Sequence, residues 1–120
     1  MLDQTVLVVE EEYLIAAEIE ATLLAKGASK VLIARDTHEA SLLTTQVDIA
    51  IIEAKLGAPA SIEFAASLRR AGAAVVVTSA DRAVTSLFAG CAPLEKPFDD
   101  AALLTACEAA LRLAKPVTQL

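Results

Sequence analysis

Large aromatic side chains are nearly missing from this chain: no tryptophan, one tyrosine and three phenylalanines in 120 residues. Any core must therefore be aliphatic and alanine-rich, which suits helices packed closely on a sheet, and the 56% apolar content is enough for one. Basic residues are also scarce, 10 Lys and Arg against 16 Asp and Glu, for a net charge of −6. That excludes a nucleic-acid surface, which needs a basic stripe. No apolar run approaches the roughly 18 residues of a membrane span, so no membrane contact is expected. The two cysteines, Cys91 and Cys107, have neither CxxC nor metal-ligand spacing and read as packing residues in a reducing compartment. Met1-Leu2-Asp3-Gln4 offers no basic and then apolar leader, so a cytoplasmic protein is expected. The single histidine, His38, falls in a capping segment. There is no Gly-rich phosphate loop after the first strand and no nucleophile–base pair, so no enzymatic turnover is expected.

What is present is a regular alternation. Thr5–Val9 is a continuous apolar strand, and Tyr13 to Lys26 has helical spacing, with Ile15, Ile19 and Leu23 on one face and Gly27 as the stop. Val31–Ala34 is a second strand. Asp36 and Glu39 form a capping box that opens a short helix through about Thr44. The run Val47-Asp48-Ile49-Ala50-Ile51-Ile52-Glu53 is a third strand, apolar on both faces and ending on a carboxylate. A loop over Ala54 to Ala60 follows, and Ser61 is expected to cap a helix through Arg70, which Gly72 ends. Ala74–Val77 is the fourth strand, leading into Thr78-Ser79. Asp81 to Ala89 is a short helix, Cys91–Leu94 a poor fifth strand with Pro93 tolerable at a sheet edge, and Asp99 to Ala114 the last helix, with Leu103, Leu104 and Leu111 toward the core. Five strands alternating with five helices imply right-handed crossovers: an α/β fold with a five-stranded parallel sheet and helices on both faces. One domain over residues 1–120 is expected, with a core of about 5–114, a chain stop at Pro116 and a frayed tail over 115–120.

In such a sheet the carboxyl ends of the first, third, fourth and fifth strands share one rim, the rim where open α/β sheets bind ligands. That brings together Glu10 and Glu11, Glu53, Thr78 and Lys96. Singly, each has an ordinary explanation as a helix-start acid, a local cap or a turn. Together they form an acid pair, a carboxylate, a hydroxyl and a Lys-Pro at four rim positions.

With these residues the chain resembles the receiver domains of two-component response regulators, over Val6 to about Leu113. The resemblance rests on Val6-Leu7-Val8-Val9-Glu10-Glu11-Glu12, on Asp48-Ile49-Ala50-Ile51-Ile52-Glu53 and on Leu94-Glu95-Lys96-Pro97-Phe98. It implies the flavodoxin-like strand order 2-1-3-4-5. It also implies a phosphoacceptor at position 53, Mg2+ held by Glu11, Glu53 and the Lys55 backbone carbonyl, phosphoryl contacts from Thr78 and Lys96, and a cis bond between Lys96 and Pro97.

Three departures alter what is expected. The acceptor in active receivers is aspartate, whereas Glu53 is one methylene longer, and a misplacement of about 1 Å can cost on the order of a hundredfold in rate. The second acid of the pair, Glu11, is lengthened in the same way, and Mg2+ demands near-ideal octahedral geometry, so Mg2+ binding is expected to be weak or absent. Carboxylates about 4 Å apart repel by about 4 kcal/mol per pair at an effective dielectric of about 20, so a cation must offset them. Lys55 or Lys96, paired with Glu53 or Glu11, is expected to be that internal cation. Lastly, Pro93 stands where many receivers carry a switch aromatic, so the usual coupling to Thr78 is lost.

The expected function is a stand-alone, phosphorylation-independent receiver in a two-component or phosphorelay pathway. It would act through contacts with a histidine kinase, a phosphotransfer protein or another signalling protein, or form a homodimer through the fourth helix, fifth strand and fifth helix. One alternative is a relay component slowly phosphorylated on Glu53 with Mg2+. Another is a small-molecule-binding or unrelated flavodoxin-like domain.

Overall fold

The computed structural model describes residues 3–43, 45–54 and 59–114. In chain order these form β1 (Thr5–Val9), α1 (Tyr13–Ala25), β2 (Lys30–Ala34), α2 (Thr37–Ser41), β3 (Ile49–Glu53), α3 (Pro59–Arg70), β4 (Ala74–Ser79), α4 (Arg82–Thr85), β5 (Ala92–Glu95) and α5 (Asp100–Ala114). The strands make one parallel sheet in the order β2-β1-β3-β4-β5, as expected.

The strand pleat splits the core in two. Val6 and Val8, Ile49 and Ile51, Val76, Ala92 and Leu94 join Ile19 and Leu23 of α1 and Leu103, Ala106, Cys107 and Ala110 of α5. The alternate residues Leu7 and Val9, Ala50 and Ile52, Val75 and Val77 pack on the other face with Ala40, Ala65, Val84 and Phe88. β3 lies between β1 and β4 and is buried on both faces, which is why its sequence shows no apolar–polar alternation. We expect Ile51→Ala to cost about 2–5 kcal/mol, read as a lowered urea midpoint; a loss below about 1 kcal/mol would show a core that collapses around the gap.

Helix ends follow local chemistry. Gly27 and Gly72 have φ of 96° and 99°, the left-handed conformation that stops α1 and α3. Asp36 accepts the Glu39 amide at 2.8 Å, whereas the Glu39 carboxylate reaches back to the Arg35 amide at 2.9 Å, one residue before the cap. α2 ends at Ser41, short of Thr44, which lies outside the described residues. Ser61 is not a cap: α3 already runs from Pro59, whose fixed φ and missing N–H suit a first turn, and Ser61 is buried inside it. α4 is four residues long, capped by Asp81 accepting from the Ala83 amide at 2.9 Å.

α5 is entered through Asp99, whose carboxylate accepts the Ala102 amide at 2.8 Å. Its buried stripe is Leu103, Ala106, Cys107 and Ala110, with Leu104 and Leu111 only partly covered. Burial and the nearby Glu108 push the Cys107 thiol up to about 11, so it packs as a neutral group. Pro116 and the tail expected over 115–120 lie outside the described residues. Among the described residues no helix is long and apolar enough to cross a membrane.

Candidate functional site

The ladders run one residue past β1 and β5. The Glu10 amide donates to the Ala34 carbonyl at 3.0 Å, and the Lys96 amide to the Ser79 carbonyl at 2.9 Å. The alternation of the pleat therefore carries through Val6-Val8-Glu10, Ile49-Ile51-Glu53, Val76-Thr78 and Ala92-Leu94-Lys96. All four rim residues fall on the sheet face covered by α1 and α5. Glu53 is directly paired with Thr78, which is fully buried.

At this rim the Lys96 ammonium donates to Glu53 Oε2 at 2.6 Å and to Glu10 Oε1 at 2.9 Å. Glu10 is 2% exposed, and Lys96 and Glu53 are 18% and 19% exposed. Such sheltering makes the charge–charge attraction large, but only while both signs are present. The remaining Glu10 oxygen, Oε2, accepts the Glu12 amide at 3.1 Å. Glu53 Oε1 is buried and, among the described residues, has no hydrogen-bond partner.

Burial pushes the Glu10 carboxyl above its ordinary value of 4.5, against the lowering effects of Lys96 and the Glu12 amide. Burial works against the charge on Lys96 too, but its hydrogen bonds to Glu53 and Glu10 outweigh that, and its pKa lies above 10.5.

Of the two internal cations expected from the sequence, Lys96 makes an ion pair with Glu53. Its second carboxylate is Glu10 rather than Glu11. Glu10 follows the pleat into the α1/α5 face, whereas Glu11 begins the exposed turn into α1. Lys55, expected either to offer its carbonyl to a metal or to supply the cation, lies outside the described residues. The Lys96–Pro97 peptide is cis, as expected. Pro93 is exposed on edge strand β5, opposite Val77. The strand expected from Val47 begins at Ile49, and just before it the Asp48 carboxylate accepts the Thr5 amide at 2.9 Å while the Asp48 amide donates to the Thr5 carbonyl at 2.9 Å, fixing the start of β1 beside β3.

This topology is the fold of response regulator receiver domains. A response regulator from Thermotoga maritima superposes with a TM-score of 0.77 at 22% identity, covering 92% of this chain and 99% of its own. The chemotaxis response regulator CheY4 of Vibrio cholerae gives 0.73 at 20% identity, over 92% of this chain and 100% of its own. A response regulator receiver domain protein from Clostridium thermocellum gives 0.70 at 21%, over 90% and 94%. No protein-family profile matches the chain. Nor does any curated protein match by sequence.

Proposed function

We propose that the chain is a receiver-like module of two-component or phosphorelay signalling, with its rim site held by a built-in ion pair instead of a phosphoryl group and a metal. The single observation behind this reading is the Lys96 ammonium, seated at 2.6 Å from Glu53 and 2.9 Å from Glu10. In active receivers the corresponding lysine contacts the phosphoryl group; here it neutralises the extended carboxylate of Glu53. That arrangement does not fit Mg2+. The two converging carboxylates already share a cation, whereas Mg2+ takes a near-octahedral set of free oxygens. Glu53 supplies a carboxylate's charge in a fixed position, without the additional charge and acceptor oxygens of a phosphoryl group.

The module would act by contact and not by turnover, with a histidine kinase, a phosphotransfer protein or another signalling protein as partner. The side formed by α4, β5 and α5 carries the exposed Leu87 and Leu113 and is the surface for such a partner or for a second copy of the chain. The test is intact mass after incubation with acetyl phosphate and Mg2+. The native chain should gain no phosphoryl group. A hydroxylamine-labile adduct on Glu53 would overturn the proposal.

A second reading, slow phosphorylation of Glu53, is favoured by one observation: Glu53 Oε1 has no partner among the described residues and sits in register with Thr78. It requires a metal to displace Lys96 and the buried oxygen to become accessible. Mg2+ titration followed by amide NMR separates the two readings. The first predicts no saturable shifts at Glu10, Glu53 and Lys96 in the low millimolar range, the second predicts them.

A further inference from the structure

On the α1/α5 face, beside the ion pair, the two helices part to leave a cavity of about 380 Å³. Its α1 wall is Ile15, Glu18, Ile19 and Thr22, a stripe at helical spacing. Leu103 and Phe98 also line it, together with the half-buried Lys96 and the exposed Pro97. The volume lies within the range of small-molecule sites, and the walls are mostly apolar, with a few polar groups at the mouth.

Charge selects the ligand class. Glu18 and Asp100 both line the opening and are exposed. One Asp100 oxygen accepts the Thr22 hydroxyl at 2.9 Å, which fixes the carboxylate across the gap between the helices. α1 contains no basic residue, and the only one on α5 is Arg112, about 18 Å along the helix axis from Asp100. The charge of Lys96 is already shared by Glu10 and Glu53. Among the described residues that line it, Lys96 is the one cation, and the opening is therefore negative.

We propose that this groove binds a small organic cation with an apolar body, an alkyl- or aryl-ammonium. The apolar part would enter between Ile15, Ile19 and Leu103, and the ammonium would remain at Glu18 and Asp100. The inference does not depend on the signalling role. It would nevertheless place a ligand against Pro97 and the stem of Lys96, the residue that holds Glu10 and Glu53 together.

The probe is 3-phenylpropylammonium, titrated into the 15N- and methyl-labelled chain at neutral pH and low salt. Its uncharged and anionic counterparts, 3-phenylpropanol and 3-phenylpropionate, are the comparisons. The expected result is saturable shifts centred on Ile15, Ile19, Phe98 and Leu103 with millimolar affinity, the scale for a ligand of about ten heavy atoms. The alcohol should bind more weakly and the carboxylate not measurably. Glu18→Gln and Asp100→Asn should each weaken ammonium binding by about two- to fivefold, the scale of an exposed charge pair. Equal binding of ammonium and alcohol, shifts centred elsewhere, or no saturation at about 10 mM would each overturn the proposal.

Discussion

Lys96→Met is expected to destabilise the protein by about 3–5 kcal/mol at neutral pH, the cost of leaving a buried charge without its partner. Methionine preserves much of the apolar stem that runs past Pro97, so the loss reports the ammonium rather than the packing. Two carboxylates then face each other, and one of them, Glu10, is 2% exposed. The variant must keep a buried anion or protonate it. The native Glu10 carboxyl already lies above 4.5 because of burial, and removing Lys96 takes away a lowering influence. A carboxyl raised on folding stabilises the native state below its unfolded value, and that contribution is lost as pH rises through its folded value. The deficit of the variant relative to the native chain should therefore be small near pH 4 and largest above the raised Glu10 value. Lys96 is raised on folding as well, so its contribution in the native chain is complete below 10.5 and fades as pH climbs through its higher folded value. Urea midpoints measured for both proteins from pH 4 to pH 11 check this. A pH-independent loss of less than about 1 kcal/mol would show that the triad contributes no more than an exposed pair does.

Glu53→Asp is expected to turn the rim into a phosphoacceptor. The substitution withdraws the carboxylate by one methylene, away from the 2.6 Å contact with Lys96, and leaves the paired Thr78 in place. That frees room between position 53 and the ammonium for a phosphoryl group, whose added negative charge Lys96 would stabilise. With acetyl phosphate and Mg2+, labelling should exceed that of the native chain by on the order of a hundredfold, the penalty associated with a misplacement of about 1 Å. Intact mass reads the adduct, and hydroxylamine lability identifies it as an acyl phosphate. Should the variant remain unlabelled, shortening position 53 is insufficient and Glu11 is the next position to shorten.

Much of this arrangement was legible in the sequence, because strands and carboxylates are placed by simple periodicities. The short, mostly β-branched apolar runs at Val6–Val9, Ile49–Ile52 and Val75–Val77 read as strands buried on both faces. Parity then decides which rim residues meet. Counting in twos from Val8, Ile51, Val76 and Leu94 arrives at Glu10, Glu53, Thr78 and Lys96 on one face of the sheet. The same count puts Glu11 out of phase, and it would have identified Glu10 as the second partner of Lys96. Helix lengths were harder to read. α2 and α4 are only five and four residues long, and their ends are set by local turns instead of an extended apolar stripe. At the start of α3 two signals compete, Ser61 as a cap and Pro59 as a first-turn residue, and the structure follows Pro59. The cavity between α1 and α5 depends on how far two helices stand apart, a distance that no local pattern encodes.

The outer edge of β5 has a consequence for assembly. The Lys96 amide points inward to the Ser79 carbonyl on β4, so by alternation the amides of Leu94 and Ala92 also face β4, and positions 93 and 95 face outward. Position 93 is proline and has no N–H to give. Of the four residues of β5, Glu95 alone offers an outward donor, and it also places a charged side chain on the edge. A strand laid alongside would find two acceptors but one donor where two are needed, next to a carboxylate. Growth of the sheet into a longer ribbon or a fibre from that side is thereby disfavoured.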